Sequence, residues 1–158
     1  MKVIEAMTQS PATCKPDTNL GAAGEIMWSH NCGFLPVVGS NDEVVGVITD
    51  RDMSIALATR NRLPGDLTVK DVSSGSTHSC KSDDDIRTAL RTMAEKKVRR
   101  LPVLDNAGKL KGILSVDDVV LRASSQADGS ISSDELVRSL QQLYIGQLHQ
   151  PQRKGASA

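Results

Sequence analysis

One stretch of this chain occurs twice, at an offset of 66 positions. Leu35-Pro36-Val37-Val38, a polar turn and Val44-Val45-Gly46-Val47-Ile48-Thr49-Asp50-Arg51-Asp52 form the first copy. Leu101-Pro102-Val103-Leu104, a polar turn and Leu110-Lys111-Gly112-Ile113-Leu114-Ser115-Val116-Asp117-Asp118 form the second. Each copy predicts a short apolar strand, a hairpin turn (Gly39-Ser40-Asn41-Asp42; Asp105-Asn106-Ala107-Gly108), a second strand and a helix start. The match widens without a gap: Val3 with Val69, Cys14 with Cys80, Asp17 with Asp83, Ala23 with Ala89, Met27 with Met93. Two copies suit a closed pair rather than a solenoid, which needs about three or more units.

The other elements follow from periodicity and breakers. Val3 to Met7 is a short lead-in ended by Pro11, and 69–72 is its counterpart. Thr13-Cys14 and His78 to Cys80 predict short strands. Asp17 is expected to cap a helix with Leu20, Ala23, Ile26 and Met27 apolar. Gly21 and Gly24 either weaken that helix or permit close packing. The second copy predicts a helix over 83–97, with Asp83, Asp84 and Asp85 at its positive end. Helices are also expected over 50–59 and 116–125, a linker over 61–66 and a Ser/Gly-rich hinge over 124–130. An amphipathic helix is expected over 134–149, then a disordered tail over 151–158. The chain divides into repeats at 1–62 and 63–125, a helical extension at 126–150 and the tail. Each repeat reads β-α-β-β-α, an α/β (α+β) unit. One unit of roughly 55 residues buries little surface; two packed sheet to sheet share an adequate core.

Composition removes several function classes. The 158 residues carry 19 basic and 19 acidic side chains, so no net field recruits nucleic acid or a membrane surface. One Phe, one Tyr and one Trp make no base-stacking platform. No run approaches the roughly 18 apolar residues of a membrane helix, and Met1 to Glu5 starts no signal peptide. Three widely spaced cysteines make no disulfide framework, and a reducing cytoplasm is the simplest compartment. His30-Asn31-Cys32 and His78-Ser79-Cys80 lack zinc-site spacing, so no metal is expected, and Cys14 and Cys80 read as buried small apolar residues. No nucleophile–base pair or phosphate-binding glycine loop is present, so no enzyme is expected.

The helix starts are the chemical candidates. A helix N-terminus offers free N–H groups and a positive dipole end to an anion. Thr49 and Ser115 add a hydroxyl, and Asp52 and Asp118 a carboxylate one turn in. The same pattern is also a near capping box that merely starts a helix. Lys96 to Arg100 reads equally as a solvated helix end, where cations suit the dipole.

Leu-Pro-Val in the second strand, and Gly-x-x-Thr/Ser-x-x-Asp closing the third, resemble a pair of CBS (cystathionine β-synthase) domains, a Bateman module. The resemblance covers about residues 3–125 and is closest to the stand-alone type. It implies two repeats related by a pseudo-twofold, with adenosyl nucleotides bound in clefts between them. It implies a regulatory role without chemistry of its own. It assigns the ribose diol to Asp52 and Asp118 and phosphate contacts to Arg51, Arg99 and Arg100. Thr13, Cys14, Pro36, Ser79, Cys80 and Pro102 complete the implied pockets. By the implied geometry the Thr49/Asp52 ligand reaches Arg99 and Arg100, and the Ser115/Asp118 ligand reaches Arg51. AMP, ADP, ATP, NAD and S-adenosylmethionine share the recognised moiety, so the ligand's identity stays open. A homodimer is expected, with helices of both repeats at the interface and an unidentified regulated partner. The alternative is a scaffold that binds no ligand and acts through the 134–149 helix.

Overall fold

The structure, a computed structural model, describes residues 1–73, 75, 77–123 and 131–148. The expected hinge at 124–130, His149 and the tail at 151–158 lie outside the described residues. The elements are α1 (Val3–Ala6), β1 (Thr8–Gln9), α2 (Leu20–Ser29), β2 (Phe34–Val38), β3 (Val44–Thr49), α3 (Asp50–Arg60), a 3-10 turn at Pro64–Asp66, α4 (Val69–Val72), β4 (Cys80–Lys81), α5 (Ile86–Lys96), β5 (Arg100–Leu104), β6 (Leu110–Ser115), α6 (Val116–Val120) and α7 (Ser133–Leu148).

Three local expectations are corrected. Asn19, not Asp17, caps α2, and α5 starts at Ile86, capped by Asp85, rather than at 83. Asn19 Oδ1 accepts from the Ala22 amide and Asp85 Oδ1 from the Arg87 amide, both at 2.8 Å. Both residues are held extended by bridges to Thr68 and Lys2, so neither helix can begin earlier. Asp17 instead pairs with Lys70 at 2.7 Å. The lead-in helix ends at Ala6, before Pro11 acts, because Thr8 and Gln9 join a sheet. The last helix of the second repeat is α6, shorter than 116–125. Past Val120 the bonds tighten to i→i−3, from the Arg122 and Ala123 amides to Val119 and Val120.

β2 and β3 form an antiparallel hairpin, with Cys14 bridged parallel to Val37 on its far side. The second sheet runs β1-β6-β5-β4. The two hairpin turns use a left-handed residue at equivalent positions, Asp42 at φ 64° and Gly108 at φ 78°. Glu43 and Lys109, also equivalent, bridge one another. Residues related by a twofold can pair this way only on its axis, so the pseudo-twofold passes between them.

Each repeat lends its lead-in to the other. β1 pairs with β6, Thr8 opposite Ile113, and Val3, Ala6 and Met7 join the core of Cys80, Ile86, Ala89, Leu101 and Leu114. Reciprocally, Leu67 and Val69 join the core of Cys14, Leu20, Ala23, Leu35 and Ile48. The backbone repeats the exchange: the Val3 amide donates to Asp84 O at 2.9 Å and the Val69 amide to Thr18 O at 2.8 Å. The α7 helix closes the second core. Leu136 and Leu143 are buried there with Leu140 beside them, and Arg87 grips Glu135 through two bonds of 2.6 and 3.1 Å.

Gly112 is where the exchange leaves no space. A Cβ there would stand 2.6 Å from Thr8 O and 2.8 Å from Met7 Sδ. Gly112→Ala is therefore expected to push β1 from β6 and cost about 1–3 kcal/mol, read as a lower urea midpoint. Gly65→Ala, which meets nothing within 4 Å, is the control expected to leave the midpoint nearly unchanged.

Candidate functional site

At each repeat the last strand runs into a helix without a loop. Thr49 ends β3 and caps α3; Ser115 ends β6 and caps α6. Asp52 Oδ2 accepts from the Thr49 amide at 3.1 Å and the Thr49 hydroxyl at 2.7 Å. Asp118 Oδ2 accepts from the Ser115 amide at 2.8 Å and the Ser115 hydroxyl at 2.6 Å. The hydroxyls in turn accept from the Asp52 and Asp118 amides at 3.1 Å. Both are complete capping boxes, so each aspartate starts its helix whatever else it does. The carboxylates keep a second oxygen. At Asp118 the Thr8 hydroxyl lies on Oδ1 at a long 3.3 Å.

Sheet register gathers the remaining residues at the same ends. The Cys14 amide donates to Pro36 O at 3.1 Å, and Phe34 pairs with Thr49. Thr13 therefore runs back toward Thr49 and Asp52. In the second repeat Cys80 pairs in parallel with Val103, and Arg100 pairs with Ser115. Ser79 and Thr77 thus run back past Pro102 toward Arg100 and Ser115. Register therefore sets Thr13, Cys14 and Pro36 on neighbouring strands that lead toward Thr49 and Asp52, and Ser79, Cys80 and Pro102 on strands that lead toward Arg100, Ser115 and Asp118. Arg99 stays beside them, since its carbonyl accepts from the Val116 amide at 3.0 Å. Arg51 is exposed in the first turn of α3.

Sequence reading missed three features. Thr77 Oγ1 is buried with no hydrogen-bond partner among the described residues. Thr8, from the other repeat, reaches Asp118. Tyr144 of α7 shares a small pocket with Arg99, Arg100, Val116 and Asp117. None has a local signature, because each depends on a distant segment arriving. Among the described residues no group of three His, Cys, Asp or Glu side chains could hold a metal ion. No helix among them is long and apolar enough to cross a membrane.

The CBS domain family matches residues 3–59 and again residues 66–125. The chain belongs to the CBS-domain family. The CBS domain-containing protein YhcV of Bacillus subtilis is 31% identical to this CBS pair over 129 residues, 81% of this chain and 90% of YhcV. The chain spans less of other relatives. It matches 48% of the uncharacterised MK0525 of Methanopyrus kandleri, at 32% identity over 94 residues, 60% of this chain. It matches 23% of the inosine-5'-monophosphate dehydrogenase of Methanocaldococcus jannaschii, at 32% identity over 121 residues, 77% of this chain. Among solved structures, Hypoxic Response Protein I with two coordinated zinc ions superposes with TM-score 0.72 and 26% identity, covering 78% of this chain and 100% of that one. CBSX2 in complex with AMP superposes with TM-score 0.62 and 26% identity, covering 90% of this chain and 98% of that one. The tandem CBS fold read from the sequence is thus the fold of the chain.

Burial pushes the Cys14 thiol up to about 11 and the Cys80 thiol up to about 12, Asp84 adding to the latter. Both stay protonated at neutral pH and are poor nucleophiles. The unfolded thiols ionise at an ordinary pKa, so the stability tied to these raised values is complete below it and is lost as pH climbs through the folded values. Cys32 is half-buried. Near pH 8, a thiol-reactive chromogen is expected to titrate Cys32 in the native protein. Cys14 and Cys80 should react only in denaturant, with slowed kinetics in the folded state the quantity to measure.

Proposed function

We propose that this CBS pair is a regulatory module that binds an adenosyl nucleotide between its repeats and transmits the event through shape or partner contacts. The observation that carries the reading is the doubled helix start. Two capped N-termini each present a hydroxyl and a carboxylate at the sheet end where buried Cys14 or Cys80 segments lie. A carboxylate whose Oδ2 is spent on the cap has Oδ1 left to accept from a ribose diol. The dipole end and the arginines suit phosphate. The AMP complex of CBSX2, a relative of the same fold, supports the ligand class. Thr77, whose buried hydroxyl has no hydrogen-bond partner among the described residues, joins the proposed Ser115/Asp118 pocket. Thr13, Cys14 and Pro36, and Ser79, Cys80 and Pro102, form the base-facing walls. In this reading the module regulates an unidentified protein, the compartment is the cytoplasm, and the module works as a homodimer.

The two pockets are unequal in this reading. The ligand of Thr49/Asp52 extends its phosphate to Arg99 and Arg100, and that of Ser115/Asp118 to Arg51. Two guanidiniums outweigh one, even with Asp117 nearby, and Thr8 competes for Asp118 Oδ1. The Thr49/Asp52 pocket therefore holds phosphate-bearing ligand more tightly. The scaffold reading keeps one supporting observation: Val137, Tyr144 and Ile145 remain exposed on α7.

Thermal shift across AMP, ADP, ATP, NAD and S-adenosylmethionine separates the readings. A ligand at 100 times its Kd is expected to add about 2.7 kcal/mol of stability; no shift with any of them at millimolar concentration favours the scaffold. In calorimetry, Asp52→Ala and Asp118→Ala should each weaken binding by roughly 1.5–3 kcal/mol, about tenfold to a hundredfold. Asp52→Asn and Asp118→Asn keep an acceptor for the cap, so affinity lost without stability lost assigns the carboxylates to the ligand. Arg100→Ala should remove the tighter event and Arg51→Ala the weaker; the reverse order sinks the inequality.

A further inference from the structure

The two helix-start carboxylates differ in what reaches them. An ionised carboxylate offers about four acceptor positions, two on each oxygen. In both capping boxes Oδ2 is filled by the amide and the hydroxyl of the capping residue. On Asp52, Oδ1 has no donor among the described residues. On Asp118, Oδ1 already accepts from the Thr8 hydroxyl at 3.3 Å.

Thr8 is placed there by the lead-in exchange. It pairs with Ile113 on β6, and its carbonyl lies against Gly112, where no Cβ fits. Arg122 ties the same segment to α6: its Nε donates to Glu5 O and its Nη1 to Asp118 O, both at 3.1 Å. The Thr8 hydroxyl therefore stands at the helix start of the second repeat although Thr8 belongs to the first. A vicinal diol that donates both its hydroxyls to one carboxylate needs two acceptor positions. Asp118 Oδ1 has one left, so it takes one sugar hydroxyl, and the other finds no charged acceptor. Bonds to charged acceptors are the strong ones, so the second hydroxyl adds little to binding there.

We infer that Thr8 sets the sugar specificity of the Ser115/Asp118 pocket: by holding one position of Asp118 Oδ1 it leaves the carboxylate a single sugar hydroxyl, so the pocket takes 2'- and 3'-deoxyadenosyl nucleotides nearly as tightly as adenosyl ones. The inference rests on the nucleotide reading above and adds to it the segment that chooses the ligand's sugar.

Calorimetry on the full chain carrying Asp52→Asn, which weakens the other pocket while keeping an acceptor for its cap, compares AMP, 2'-deoxy-AMP and 3'-deoxy-AMP. Near-equal affinities are expected. Adding Thr8→Val keeps the β-branched shape that suits a strand and removes the donor. It should tighten AMP about tenfold and leave both deoxy nucleotides where they were. Thr8→Ser keeps the hydroxyl and should keep the near-equal affinities. A structural role for Thr8 would shift all three ligands together, and that result overturns the inference. So does a preference for AMP of about tenfold or more while Thr8 is intact. Weaker AMP binding in Thr8→Val would make the hydroxyl an acceptor for the sugar, which also overturns it. If the unsubstituted chain binds none of the three, the nucleotide reading falls and this inference with it; binding without the Thr8 effect removes the inference alone.

Discussion

The lead-in exchange is the constraint on which the rest depends. Val3 and Val69 are fully buried in the core of the repeat they do not precede. Their amides are spent on Asp84 O and Thr18 O. A repeat of this size buries too little apolar surface to stand alone. Exchanging the lead-ins makes each core incomplete without the other segment, so the repeats fold as one cooperative body. It also sets their spacing. β1 must approach β6 closely enough that Gly112 can carry no side chain, and this brings Thr8 to Asp118.

The candidate pockets are by-products of that geometry. A strand that passes directly into a helix needs a cap at the junction, and Thr49 and Ser115 provide it with Asp52 and Asp118. The cap uses one oxygen of each carboxylate. What distinguishes these starts from an ordinary capping box is their setting: the sheet ends where Cys14, Cys80 and the prolines are already buried. The Thr68/Asp71 box at α4 shows the contrast. It has the same reciprocal bonds, and the Thr68 hydroxyl holds the Asp71 carboxyl below its usual range, yet that carboxylate is exposed where Asp52 and Asp118 are half-buried.

The repeats have diverged on their outer faces far more than in their cores. Gly21 stands where Arg87 grips α7, Gly24 where Leu90 packs under it, and Trp28 where Ala94 does. Each difference suits a helix on the second repeat and an open groove on the first. The apolar stripe of 134–149 says that the helix must be covered, and the structure seats it on the second repeat.

How much was legible in the sequence can be stated residue by residue. The doubled Leu-Pro-Val and Gly-x-x-Thr/Ser-x-x-Asp stretches determined the tandem fold, the strand–helix junctions and the candidate carboxylates. Those depend on period, turn chemistry and capping, which act over a few neighbouring positions. The first helix is capped at Asn19 rather than Asp17, and the second begins at Ile86 rather than 83, because an extended bridge to the other repeat, not a local preference, halts each helix. The partner of each lead-in, the seat of α7, the approach of Thr8 to Asp118 and of Tyr144 to the arginines, and the burial of the Thr77 hydroxyl were decided by tertiary structure alone. Each joins residues far apart in the chain, and no local preference encodes which distant surface a short apolar segment will find.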